Sequence, residues 1–97
     1  MDRGQSLIIP LLFDGTNYAY WKVRTRAFLS SLDEKVWQAV EIGWTKPTEA
    51  PADWDDAKIK TENFNSRALN ALFSVVTNEE LKKIFSTETA KEAWTIL

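Results

Sequence analysis

The chain has 97 residues, neither cysteine nor histidine, and a formal charge of −2. These counts exclude disulfides, thiol nucleophiles, Cys/His zinc sites and the usual general base at neutral pH, and the charge gives no global attraction to nucleic acid. A hydrophobic content of 44% with five tryptophans fits one folded domain with a modest core. Residues 1–48 hold six basic and five acidic groups and residues 49–97 hold six and nine, so the acidic excess lies in the second half, mostly around Asp53, Asp55 and Asp56. The longest apolar run, Leu7 to Phe13, is broken by Pro10 and is far too short to span a bilayer. Its flanks do not resemble a secretion signal, so a soluble, unexported protein is expected.

Residues 1–12 read as an extended apolar arm, because Leu7-Ile8-Ile9 favours an open path and Pro10 prevents a helix. Asp14-Gly15 supplies turn chemistry, and Thr16 or Asn17 is placed to cap a helix over Asn17–Leu32. On that helix Trp21, Phe28 and Leu32 form one stripe, with Thr25 between them. Tyr20, Val23 and Ala27 form a second, well separated at about 100° per residue. A helix apolar on two sides is either central in its bundle or carries an interface. A short helix follows over Asp33–Ile42, capped by Asp33, with Val36, Trp37 and Val40 inward and Gly43 as its stop. Trp44–Ala52 is a connector stiffened by Pro47 and Pro51.

The clearest periodicity runs from a cap at Asp53 to Val76. Trp54, Ala57, Thr61, Phe64, Ala68, Leu72 and Val75 are expected inside, and Lys60, Asn63, Arg67, Asn70 and Ser74 outside. Thr77 with Glu80, and Thr89 with Glu92, read as two capping boxes. The first starts a short helix burying Leu81, Ile84 and Phe85; the second starts one through Ala93, Trp94 and Leu97. The absence of a helix stop before Leu97 suggests a piece of a longer polypeptide. The expectation is an all-α bundle of about five helices, two long and three short, with residues 13–97 as the helical domain.

Little in the chain points to catalysis, and none is expected. Asp53-x-Asp55-Asp56 lacks the glycine and distal glutamate of a calcium loop, and reads as an acidic helix start. Ser30-Ser31 has no histidine or cysteine to activate it, and three glycines make no phosphate loop. No cofactor, metal or small-molecule substrate is expected. Lys22, Arg24 and Arg26, interleaved with Tyr18, Tyr20 and Trp21, have the residue types of a single-strand RNA contact. Helical angles nevertheless place Arg24 opposite the other two, which favours solvated basic tips over one patch. Trp44, in a loop, reads either as folded back over the core or as a contact residue.

Two separated segments carry a resemblance. Phe13-Asp14-Gly15-Thr16-Asn17-Tyr18-Ala19-Tyr20-Trp21 resembles the F-D/N-G-x-N-Y-x-x-W opening of the Gag polypeptide of plant copia-type LTR retrotransposons, which leads into a basic, aromatic helix. Ala68-Leu69-Asn70-Ala71-Leu72-Phe73 and Thr89-Ala90-Lys91-Glu92-Ala93-Trp94-Thr95-Ile96-Leu97 are similar to that family's later helices. Thr25 stands where the family usually carries an apolar residue. The resemblance implies the N-terminal lobe of a capsid region, a structural protein that self-associates weakly alone and builds virus-like particles in the cytoplasm as part of a longer chain. It also implies RNA binding only through regions beyond Leu97, and no membrane contact. On that reading the candidate assembly surface is Tyr20, Val23, Ala27 and Trp44. The alternative is a domesticated Gag-derived module that binds a host protein.

Overall fold

The structure, a computed structural model, describes residues 12–97. The expected arm therefore lies outside the described residues, apart from Leu12, which is exposed. Among the described residues five α-helices follow in order: α1 (Tyr18–Leu32), α2 (Glu34–Glu41), α3 (Asp56–Ser74), α4 (Asn78–Ile84) and α5 (Ala90–Ile96), with one 3-10 turn at Pro51–Asp53. The all-α expectation holds. Among the described residues the only extended pairing is a single parallel bridge between Phe13 and Val76. There the Phe13 N–H donates to the Val75 carbonyl at 2.8 Å and the Thr77 N–H donates to the Phe13 carbonyl at 2.9 Å.

The turn before α1 forms as expected, but its cap does not. Asp14 Oδ1 accepts from both the Thr16 N–H (2.9 Å) and the Thr16 hydroxyl (2.6 Å), which holds the Asp14 carboxyl below its ordinary value. Thr16 is thus engaged away from the helix. Asn17 sits at the N-cap in the left-handed region (φ 52°) with no side-chain cap bond. Asparagine tolerates that region better than other residues with a side chain.

The buried line of α1 is Trp21, Thr25 and Leu29. This corrects the expected stripe: Phe28 is half-buried and Leu32 is exposed. The contact follows spacings of four, a natural ridge for packing against other helices. It runs out before Leu32, the residue at which the chain leaves the helix for extended Asp33. Asp33 caps α2, its carboxylate accepting the Lys35 N–H at 2.8 Å, and Val36, Trp37, Ala39 and Val40 are buried. Gly43, at φ 94°, ends that helix; a Cβ there would lie 2.8 Å from the Lys91 side chain, which packs directly over it.

Helix α3 begins later than the sequence suggests. Asp55 rather than Asp53 caps it, accepting the Lys58 N–H at 2.9 Å, because Pro51–Asp53 close a separate turn first. Trp54 consequently lies outside the helix. Its indole donates to the Glu49 carbonyl (3.0 Å) and its ring meets the edge of Trp44 at 6.4 Å. A Lys58–Glu49 ion pair closes the same connector, lowering the Glu49 pKa and raising that of Lys58 through their hydrogen bond. Ala57 and Thr61 are exposed, contrary to expectation, since the first turns of α3 extend past the core. Burial begins at Phe64 and Asn65 and continues through Ala68, Ala71, Leu72 and Val75, while Lys60, Asn63, Arg67, Asn70 and Ser74 face solvent as expected.

Of the two capping boxes, the second forms its first half, Thr89 Oγ1 accepting the Glu92 N–H at 3.1 Å. Thr77 sits at the N-cap of α4 but makes no cap bond. Glu80 is instead buried and pairs with Lys83 at 3.1 Å. Ile84 is buried and Leu81 half-buried, but Phe85, just after α4, is exposed.

Aromatic rings join these elements. Phe13 stacks on Trp21 (4.8 Å), Trp21 on Trp94 (5.6 Å), and Trp94 meets Trp37 nearly perpendicular (5.5 Å, 82°). The Trp21 indole N–H donates to the Val75 carbonyl at 3.1 Å, so this large buried ring leaves no polar atom unsatisfied. Asn65, inward on α3, donates to the Glu88 carbonyl and accepts the Ala90 N–H, both at 2.9 Å.

Candidate interaction surface

Helix α1 carries three faces in succession around its axis. The first, through Trp21, Thr25 and Leu29, is buried. The next lines a groove of about 590 Å³ shared with α2 and α5, bordered by Lys22, Val23, Arg26, Trp37, Lys91 and Trp94. The third holds Tyr20 (58% exposed), Val23 (70% exposed) and Ala27, all open to solvent. Val23 belongs to both of the last two faces.

The groove is aromatic and basic. Lys22 Nζ lies over the rings of Tyr18 (5.2 Å) and Trp94 (5.3 Å), and the Arg26 guanidinium lies over Trp37 (5.2 Å). Such placement holds the cations against apolar walls while leaving their outer sides hydrated. Lys91 adds a third positive charge, and Glu41 is the single carboxylate on the lining among the described residues. Lys91 also donates to the Ile42 carbonyl at 3.4 Å, placing a cation where the end of α2 favours one. Trp37 is 6% exposed, and its indole N–H has no acceptor among the described residues. A buried donor without a partner is uncommon, because leaving it so costs about 1–3 kcal/mol.

No family model matches the chain, and neither a curated protein nor a solved structure matches it. Lys22 and Arg26 come together in the groove. Arg24 does not; it points elsewhere, donating to the Tyr20 hydroxyl at 3.1 Å. Trp44 is half-buried against Trp54 rather than standing free. It lines a separate depression with Gly43, Lys91 and Thr95, and that depression meets the groove across Lys91 and Thr95 of α5. Val23 and Trp44 thus belong to adjoining surfaces, whereas Tyr20 and Ala27 lie outside both.

Sequence reading missed Trp37, Lys91 and Glu41 as parts of one surface, because they come from helices far apart in the chain. The partial signal lay in α2: Trp37 and Glu41 are four residues apart, which places them on one side of that helix. Among the described residues no group of three or more acidic side chains is arranged to hold a metal ion, and none of the helices is long and apolar enough to cross a membrane.

Proposed function

We propose that the chain is a structural domain of the copia-type Gag kind, working by weak association with copies of itself. The observation that carries this reading is the outward face of α1. Tyr20 and Val23 are exposed on a helix whose other side is fully buried, and a large apolar side chain exposed beside an aromatic groove suits a contact surface. The two sequence segments that resemble Gag agree with such a role. Weak contacts repeated over many copies suffice for assembly through avidity. In a longer chain, this contact would contribute to particles in the cytoplasm, with RNA held by other regions.

The test is Val23→Glu. Val23 is outside the core, so the variant is expected to keep its helical circular dichroism and melting temperature. A carboxylate at this position must give up its water when the apolar contact closes, which is unfavourable. Sedimentation equilibrium at high protein concentration is therefore expected to show association in the wild type and its loss in the variant. A folded variant that associates like wild type removes α1 as the contact face. A wild type that stays monomeric to its solubility limit counts against the self-association reading itself. The groove also favours a second reading, a domesticated Gag-derived interaction module in a host protein, with a partner's peptide occupying the same channel.

A further inference from the structure

Resting on the self-association reading, we infer that the groove between α1, α2 and α5 receives the acidic tip of α3 from a second copy of this chain. The argument begins with charge. The groove presents Lys22, Arg26 and Lys91 against one carboxylate. The opposite sign is gathered where the connector meets α3: Asp53 and Asp56 are exposed there, and Asp55 is turned to its own helix as the cap. The Asp53 and Asp56 carboxylates make no hydrogen bond or ion pair among the described residues.

Shape and apolar character match as well. The first turns of α3 stand clear of the core, with Ala57, Ile59 and Thr61 exposed. A projecting, acidic, partly apolar tip complements a recessed, basic, aromatic channel. The groove also holds the unpartnered Trp37 indole beneath the Arg26 guanidinium. A carboxylate arriving at Arg26 would pair with its guanidinium over the Trp37 ring.

The tip and the groove are different surfaces of the chain, so the tip of one copy entering the groove of the next is a heterologous contact. Contacts of this kind propagate into rings or filaments rather than stopping at a two-fold dimer.

Charge reversal tests this with two variants of the full chain. One reverses the tip (Asp53→Lys with Asp56→Lys), and the other reverses the groove (Lys22→Glu with Arg26→Glu). Each alone sets like charges against like and is expected to lose at least about tenfold in association constant by sedimentation equilibrium at low salt. Mixed in equal amounts, the two restore both pairings, so association is expected to return to within about threefold of wild type and to weaken as salt is raised. Circular dichroism and thermal melting report whether each variant folds. If the groove-reversed chain unfolds, Lys22→Gln with Arg26→Gln measures the same loss without repulsion. Folded variants that associate like wild type, or a mixture without recovery, overturn the tip-in-groove contact and leave self-association through another face standing. Recovery only on adding an acidic peptide unrelated to this chain overturns it in favour of a foreign partner. A wild type that is monomeric at every concentration removes the self-association reading and this contact together.

Discussion

The amide of Asn65 donates to the Glu88 carbonyl and accepts from the Ala90 N–H, so one side chain on α3 fastens the segment that starts α5. Both backbone groups lie where α5 packs on the core, and Ala90 itself is fully buried. Removing the amide leaves the buried Ala90 N–H unpaired, costing about 1–3 kcal/mol, and the partly buried Glu88 carbonyl without its donor. Asn65→Ala is therefore expected to destabilise the chain by about 2–4 kcal/mol in urea unfolding, with faster hydrogen exchange at the Ala90 amide than at buried amides of α1. Exchange at Ala90 equal to that in α1 would show that Asn65 is not what anchors α5. The position was hard to see in the sequence because a polar residue in an apolar period reads as the edge of the buried face. Only partners more than twenty residues away reveal it as a core residue. Gly43 is the opposite case: a glycine after a short amphipathic run is a visible stop, and its left-handed backbone is what the sequence led one to expect.

At the level of elements, the order and type of the five helices were legible because each had its own local signal. Asp33 and Thr89 cap as their positions suggest, and the outer face of α3 is polar at every expected position. What the sequence hid was decided by neighbours. Thr77 and Glu80 have the spacing of a capping box, yet the Thr77 N–H is taken by the Phe13 carbonyl, Glu80 pairs with Lys83, and Thr77 makes no cap bond. Trp54 fits the α3 period, but a turn at Pro51–Asp53 places it before the helix. On α1 both Leu29 and Leu32 lie near the Trp21 side of the helix, and only the reach of the packed neighbours distinguishes them. That distinction is measurable. Leu29→Ala is expected to cost about 2–5 kcal/mol, as for a fully buried leucine, whereas Leu32→Ala should stay within about 0.5 kcal/mol if its exposed surface makes no further contact. Equal effects in denaturant titrations would mean that the last turn of α1 packs as tightly as the turns before it. The candidate surface was legible only in part. Lys22, Val23 and Arg26 could be placed on α1, but the walls from α2 and α5 required the fold.

Across the whole molecule, the five tryptophans divide into two optical groups. Trp21, Trp37 and Trp94 form a continuous set of rings within 5.6 Å of one another along the chain of contacts, and Trp44 and Trp54 form a separate pair in the connector. Transition dipoles this close couple strongly, and the sign and strength of the coupling depend on the angles between rings. The near-ultraviolet circular dichroism of the chain should therefore be dominated by the first group, and Trp94→Leu is expected to remove much more of that signal than Trp54→Leu. Similar losses from the two variants would contradict the ring arrangement. Because Trp94 is contributed by the last helix and touches rings on both α1 and α2, the same band doubles as an intrinsic gauge of whether α5 is seated. Any ligand or second copy entering the groove, whose wall includes the Trp94 ring, would announce itself in that spectrum without an added label.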